Sequence, residues 1–278
     1  MSTIIGRAMV AGGGGGTAKR LEFEYTGTYN ERLDDGVVEL LTSGVLTVTK
    51  DTYIDAFLVG GGGAGNGSSS GFNSTWNGGG GGAGGFTKTI KKALLQENVE
   101  HSVVIGAGGI ALSGRNAYGK VGPAGGNTVA FGYTVEGGKS ASSTWDGGNG
   151  GSGGGVGGTK SSVSTDPNPG DGASDGNNAL TIGSRNGGTG QGTTTREFGE
   201  ATGKLYAGGG AGGTGSGSST EASGGEGGGA KQQTSAAANT GGGGGGSGSA
   251  QVVSGNYVSY PGSGGSGIVC IRLHKESA

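Results

Sequence analysis

The stretch Tyr53–Gly65, YIDAFLVGGGGAG, changes character at a single residue. Up to Val59 it is aliphatic, aromatic and β-branched, the composition of a strand. From Gly60 the side chains stop. Upstream, only Gly27, Gly36 and Gly44 interrupt Thr17–Val59. There LEFEYTG (Leu21–Gly27) and VVELLTSGVLTVTK (Val37–Lys50) repeat the strand composition, separated by the turn signals Asp34-Asp35-Gly36 and Ser43-Gly44. At the far end GIVCIRLHK (Gly267–Lys275) is again strand-like, with Arg272 and His274 on the alternate side. One strand cannot bury its own face. The two ends of the chain are therefore expected to pair, and the middle becomes a long excursion out of one β-domain.

That middle alternates glycine runs with polar inserts. Runs occupy Gly60–Gly63, Gly78–Gly85, Gly106–Gly109, Gly147–Gly158, Gly208–Gly213, Gly224–Gly229, Gly241–Gly248 and Gly262–Gly267. Between them lie inserts such as GSSSGFNSTWN (Gly67–Asn77), LSGRNAYGKVGPA (Leu112–Ala124), KSASSTWD (Lys139–Asp146) and TTTREFGEATGKLYA (Thr193–Ala207). A flexible linker has no reason to sort its glycine and its side chains into separate patches. Smaller strand signals, FTKTI (Phe86–Ile90), HSVVIGAGG (His101–Gly109) and NTVAFGYTVEGG (Asn127–Gly138), interrupt the excursion.

Composition excludes most alternatives. The chain has 77 Gly and 4 Pro in 278 residues, with 30% hydrophobic and 14% charged residues. An ordinary domain carries roughly 45–50% apolar and about 25% charged residues, so one large aliphatic core is excluded. Collagen needs a G-X-Y period and Pro, and neither is present. Disordered tails are rich in charge and Pro, and this chain is poor in both. Two solutions remain, a long flexible Gly/Ser linker with a disordered middle or a core made of backbone, and the strand signals at both ends and within the glycine region favour the second. Glycine in the polyproline-II conformation has three residues per turn and no internal hydrogen bonds. Its N–H and C=O groups must find partners on other such rods, with Cα–H···O contacts assisting. The expected fold is mainly β plus irregular: a small antiparallel β-sandwich or roll formed by the N- and C-terminal strands, with a packed polyglycine-II bundle inserted between them. The expected divisions are an N-terminal docking arm (1–16), a β-domain base (17–59 with 251–278) and the bundle with its loops (60–250).

The ordered set SGVLTV (Ser43–Val48), DAFLVGGGGAG (Asp55–Gly65), GGGGGAGGF (Gly78–Phe86), VVIGAGG (Val103–Gly109), GGNTVAFG (Gly125–Gly132), YAGGGAGG (Tyr206–Gly213), GGGGGG (Gly241–Gly246) and GGSGIVCIR (Gly264–Arg272) resembles the glycine-rich proteins of bacteriophage and prophage tails. The resemblance runs from about Ser43 to Lys275. It implies layers of polyglycine-II rods whose variable loops, at one end, contact a bacterial surface. There are departures. KKALLQENVEH (Lys91–His101) replaces the family's Pro-Gly turn and is charged enough for one helical turn, Cys270 stands where Ile is usual, and residues 1–40 lie outside the match.

Signals for chemistry are sparse. Cys270 is the one cysteine, which excludes an intrachain disulfide and a cysteine-based zinc site. No cofactor and no metal is expected. His101 and His274 are remote in sequence and read as sheet-surface residues. GxGxxG matches are chance in a chain this rich in Gly. DPNPGDGASDGNN (Asp166–Asn178) gathers Asp and Asn that can ligate Ca²⁺ but also suit an ordinary Asx-rich turn. Asn66 and Asn73 begin glycosylation sequons by pattern only. With Lys plus Arg at 18 and Asp plus Glu at 20, bulk charge favours neither nucleic acid nor membrane. The aromatics carry more. Phe72, Trp76, Tyr118, Trp145 and Phe198 sit in polar inserts and are the candidate receptor-binding residues, like aromatic anchors among small adaptable residues in a paratope. The alternative for each is a lid folded back over the bundle. The expected function is a non-enzymatic virion tail-fibre or tail-tip protein, synthesised in the host cytoplasm. Its expected partners are an outer-membrane protein or glycan, other tail proteins through the N-terminal segment, and a further copy of itself, without membrane insertion. The rivals are a non-binding tail or baseplate spacer, a glycan-trimming hydrolase and an ice-binding rod bundle.

Overall fold

The computed structural model describes residues 4–9, 20–70, 76–158, 170–172, 195–215 and 222–275. Two antiparallel sheets form the base. One has the order β1 (Ile4–Met9), β2 (Arg20–Tyr25), β5 (Gly44–Val48), β10 (His101–Val104), β11 (Thr128–Ala130), β12 (Tyr133–Val135). The other has the order β3 (Tyr29–Arg32), β4 (Val37–Leu40), β15 (Ile268–Leu273), β6 (Thr52–Val59), β9 (Thr87–Leu95). As the sequence requires, the C-terminal strand pairs antiparallel with N-terminal strands on both sides, Val269 opposite Leu40 on β4 and opposite Leu58 on β6.

Alternation along the strands builds the sandwich. Leu21, Phe23, Tyr25, Leu46, Val48 and Val103 from the first sheet meet Val38, Leu40, Ile54, Ala56, Leu58, Val269 and Ile271 from the second in one buried core. Such side chains contribute roughly 1.5–3 kcal/mol each on burial. Burial holds the Tyr25 hydroxyl neutral, with its pKa pushed up to about 12. The opposite face of the second sheet presents Val37, Phe57, Val59, Ile268 and Cys270, and these are covered by Phe198, Tyr206 and Ala207. The second sheet is therefore buried on both faces.

Two expectations are corrected here. Lys91–His101 forms no helical turn: its first half continues β9, paired with β6 at Tyr53–Leu94 and Thr52–Leu95. Pairing to a neighbouring strand satisfies the backbone that a single isolated turn would leave open. The base is also drawn more widely than 17–59 with 251–278. It takes β9, β10, β11 and β12 from the middle of the chain, whereas β13 (Gln251–Val253) and β14 (Asn256–Val258) make a separate hairpin. The expected arm contributes Ile4–Met9 as an edge strand on β2. The rest of residues 1–16 lies outside the described residues.

The glycine runs leave the sandwich as rods, and their hydrogen bonds reveal their conformation. In the rod that begins at Gly60, Gly60, Gly63 and Asn66 donate their N–H to Phe86, Ala83 and Gly80. Gly61, Ala64 and Gly67 donate to Gly126, Pro123 and Lys120, and Gly62 and Gly65 donate to Gly265 and Gly262. Every third residue faces the same neighbour, and the neighbour is met in steps of three in the reverse direction. That is the threefold screw of polyproline II, seen through its partners. In the rod Gly78–Phe86 the residues up to Gly85 are buried and Phe86 is half-buried. The rod donates to 152–158, to 241–247, and to Thr144 and Glu136, and it accepts from 60–66, from Gly210 and Gly213, and from Gly148 and Gly151.

At most glycine positions of the rods there is no room for a side chain. A Cβ on Gly79, Gly82 or Gly85 would lie 2.0, 2.1 and 2.1 Å from the carbonyl oxygens of Asn66, Gly63 and Gly60. Real Cβ atoms do not come within 3.0 Å. The glycine hydrogens thus point at carbonyl oxygens, the Cα–H···O arrangement of close-packed backbones. Thr128 joins the rods to the sandwich: its hydroxyl donates to Val59 O (2.7 Å) and accepts from Gly106 N (3.0 Å).

Candidate binding face at the loop end of the bundle

Chain direction sorts the inserts. Gly60–Gly67 leaves the sandwich after β6, and Gly78–Phe86 returns antiparallel to it and enters β9. The segment between them therefore sits at the end away from the sandwich. The same reasoning places 112–120, 139–146 and 248–261 at that end, because Gly109 pairs with Gly62, Thr144 with Gly80, and Ser247 with Asn66.

Two groups of insert residues adjoin there. The hairpin β13–β14 packs on a short 3-10 turn at Arg115–Ala117 through the antiparallel bridge Gly114–Ser259. Tyr118 and Tyr257 stack with centroids 5.3 Å apart and planes 31° from parallel. Tyr260, Val252, Val253 and Leu112 are exposed beside them, so the hairpin end is apolar and open to solvent. The second group is built on Ser69–Ser70 (β7) paired with Trp76–Asn77 (β8), next to the segment Ser142–Asp146. Ser68 and Ser259 link the two groups, hydroxyl to hydroxyl at 2.5 Å in the buried layer beneath.

Asn66 is the post under this face. Its side chain donates to Asp146 O (2.9 Å) and Ser143 O (3.2 Å) and accepts from Gly122 N (2.8 Å). It is buried, and its amide closes three backbone groups that a glycine there would leave open. The Asn66 sequon is thus a structural position; Asn73 lies outside the described residues.

The five predicted aromatics divide. Tyr118 is half-buried in the stacked pair, and Trp145 is half-buried in its insert, where its carbonyl accepts from Gly157. The backbone of Trp76 is in β8 at the same end. Phe72 lies outside the described residues, as does Asp166–Asn178 except at residues 170–172. Phe198 is a correction. It is 3% exposed and sits at the opposite end, against Phe57, with the Arg272 guanidinium carbon 4.1 Å above its ring. Its insert lies at the sandwich end because Tyr206–Gly213 runs outward from there, and an aromatic in that place gains more by covering Phe57 than by facing water. Tyr257 and Tyr260 stand at the loop end beside the expected residues. The short strand signal QVVSGNYV around a Ser-Gly turn marked their hairpin.

The sandwich end holds the buried charges. Asp55 is 2% exposed and collects His274 Nδ1 (2.7 Å), the Lys92 N–H (3.1 Å), Lys91 Nζ (3.4 Å) and Arg272 Nη2 (3.4 Å). Burial alone would raise its pKa, but these donors prevail and hold it below the usual carboxylate range. Glu200 is also held low, first by its hydrogen bond from Arg272. His274, read from the sequence as a sheet-surface residue, is half-buried and part of this polar hub around Asp55. His101 packs near Phe131, and burial lowers its pKa. Across the second sheet, Arg32 Nη2 meets Glu197 Oε2 at 2.6 Å, and Lys204 Nζ lies 3.6 Å from Glu39 Oε1. These contacts fasten the insert 195–206 to the sheet. Among the described residues no helix is long and apolar enough to cross a membrane.

Comparison with curated proteins finds no match. The model of a family described as a glycine-rich domain matches residues 41–274, most of the sandwich and the whole bundle. The chain belongs to that glycine-rich domain family.

Proposed function

We propose that the protein is a bacteriophage or prophage tail-fibre or tail-tip component that attaches to the bacterial surface, without catalysis, through the loop end of the bundle. One observation carries the reading. Chain direction gathers Trp76, Tyr118, Trp145, Tyr257 and Tyr260 at one end, while the sandwich occupies the other. A rod bundle fixed by backbone contacts holds such loops without a large aliphatic core. Stacked tyrosines give rigid contact area at small entropic cost. A contiguous exposed apolar group rimmed by polar residues is the usual mark of an interaction surface. The resemblance of the ordered motifs to phage tail proteins supplies the biological setting. The N-terminal segment, as an edge strand on the sandwich, is the part assigned to docking on the remaining tail.

The test is binding of the purified, labelled chain to intact bacteria of the host that carries the prophage or supports the phage. Saturable binding is expected, together with at least a tenfold loss in Tyr118→Ala/Tyr257→Ala. Absence of binding by a folded chain that is nonetheless present in virions would replace this reading with that of a rigid spacer.

A further inference from the structure

We propose that one flank of the bundle is an interface for a second copy of this chain, joined rod to rod. The flank is made of neighbouring segments. Gly126 donates its N–H to Ala107 O, Gly264 and Gly267 donate to Gly109 O and Gly106 O, and Ala236 donates to Ser263 O. The order across the flank is therefore 121–126, 104–112, 262–267 and 234–239. Its central segment runs from the end of β10 towards the loop end, about 25 Å at the rise of such a rod. The inference does not depend on the attachment role.

Exposure along 104–112 follows the threefold screw. Gly106 and Gly109 are buried against the bundle, whereas Val104, Ala107 and Ile110 are exposed. Val104 is 45% and Ile110 77% exposed, the latter the most exposed large apolar side chain among the described residues. Pro123 and Ala124 on one side, and Ala237 and Ala238 on the other, are exposed as well. The outward row is thus apolar in a place where solvent alone gives no reason for it. The flank is also uncharged: no Asp, Glu, Lys or Arg occurs in 102–114, 121–135, 234–240 or 261–267, in a chain with 14% charged residues. Its backbone is open, because the N–H groups of Ala107, Ile110, Ala124 and Ala237 find no acceptor among the described residues.

Repeat and charge together select the occupant. Open groups on the outward row recur every third residue, about 9.3 Å apart. A β-strand edge repeats every second residue, about 6.7 Å, so a strand laid on the row falls out of step. Another polyproline-II rod keeps step along the whole row, and this chain is built of such rods. A face without charge meets its own copy free of like-charge repulsion, as a two-fold contact requires. It offers a charged partner no complement. Antiparallel contact between rods already occurs inside the molecule, where 60–66 lies on 78–86. A two-fold axis perpendicular to the flank repeats that contact between copies and sets the row Val104, Ala107, Ile110 against itself. A contact this short stands at the small end of protein interfaces, so a dissociation constant of about 10–100 µM is expected. An assembly that holds copies side by side would tighten it.

The experiment is sedimentation of the full chain from about 2 to 300 µM, a range that brackets the expected constant. A monomer–dimer equilibrium is expected, and amide exchange at Ala107 and Ile110 should slow as concentration rises. Ile110→Glu should weaken association at least ~10-fold, because a charge would be buried without a partner, and should leave the unfolding temperature of the monomer unchanged. Ala107→Lys and Ala107→Glu should each be monomeric alone and should associate when mixed. Tyr118→Ala/Tyr257→Ala should associate like the wild type, which separates this flank from the loop end. A folded wild-type chain that stays monomeric at the highest concentration would overturn the proposal. So would association that the tyrosine pair abolishes and Ile110→Glu spares, which would move the contact to the loop end. Thermal hysteresis by the monomer, lost in Ile110→Glu, would reassign the flank to ice and reject it too. If Ile110→Glu does not fold, the mixing of the two Ala107 variants decides, and its failure rejects the interface.

Discussion

Gly82→Ala adds one methyl group and tests the packing of the bundle at its centre. The new Cβ would lie 2.1 Å from Gly63 O, 2.7 Å from Gly63 C and 2.8 Å from Ala64 C. All three are backbone atoms, so no side chain can swing aside. Relief requires the 60–66 rod to retreat by about 1 Å. That rod is held to Gly78–Phe86 by Gly60 N to Phe86 O (2.9 Å), Gly63 N to Ala83 O (2.8 Å) and Asn66 N to Gly80 O (2.9 Å). Retreat would stretch these well beyond the ~3.2 Å limit of an N–H···O bond. Each buried group left open costs about 1–3 kcal/mol, so the loss is roughly 3–9 kcal/mol. Whole domains are stable by about 5–15 kcal/mol, so the bundle should unfold or lose most of its stability. Ala83→Gly is the matched control in the next position, where a buried methyl is already accommodated. It removes one methyl, about 0.8 kcal/mol, and adds unfolded-state freedom of roughly 0.5–1 kcal/mol. Denaturant unfolding of the three proteins, followed by circular dichroism and by amide exchange, compares them directly. A Gly82→Ala loss no larger than that of Ala83→Gly would refute the claim that backbone packs on backbone at this position.

Other variants probe other links. Thr128→Val should destabilise by about 1–3 kcal/mol, measured by thermal unfolding, because it leaves Gly106 N–H and Val59 O without their shared hydroxyl. Asn66→Ala removes three hydrogen bonds beneath the loop end. It should raise exchange at Gly122 and weaken bacterial binding more than it lowers the unfolding temperature. Acid should loosen the sandwich through Asp55 and Glu200. Both have folded pKa values below the unfolded ones, so the unfolded chain binds more protons near pH 4 and stability rises with pH there. Their contribution is present above the ordinary carboxylate pKa and is lost as pH falls through the lowered values. Asp55→Asn should flatten that part of the stability profile in urea unfolding between pH 2 and about pH 5.

Much of the architecture was legible because it follows from what glycine lacks. The break at Gly60, the strand composition on both sides of the runs, and the solitary C-terminal strand required a sandwich with a backbone-built insertion, and the hydrogen-bond period of three is its direct expression. The candidate site was only partly legible. Which end an insert occupies depends on how many times the chain has crossed the bundle, and run counting fails where a run turns back on itself. Gly147–Gly158 does so: Gly148 and Gly151 approach Gly81 and Gly84 in one direction, and Ser152, Gly155 and Gly158 retrace them in the other. The insert with Phe198 and Tyr206 lies at the sandwich end, where both rings cover Phe57. Nor does spacing show that Asn66 can occupy a rod position by using its amide as a backbone substitute. The ion pair of Arg32 with Glu197 joins residues far apart in the chain, and no local pattern announces it.

Amide hydrogen exchange along Gly78–Phe86 tests the central claim most directly. This rod has no side-chain core around it, and its N–H groups are buried only if other rods enclose it. The account predicts slow exchange at Gly79, Gly82 and Gly85, limited by global unfolding, as for Leu58 and Val269 in the sandwich. Exchange at the rate of an open chain in those glycines, with the sandwich still protected, would contradict it.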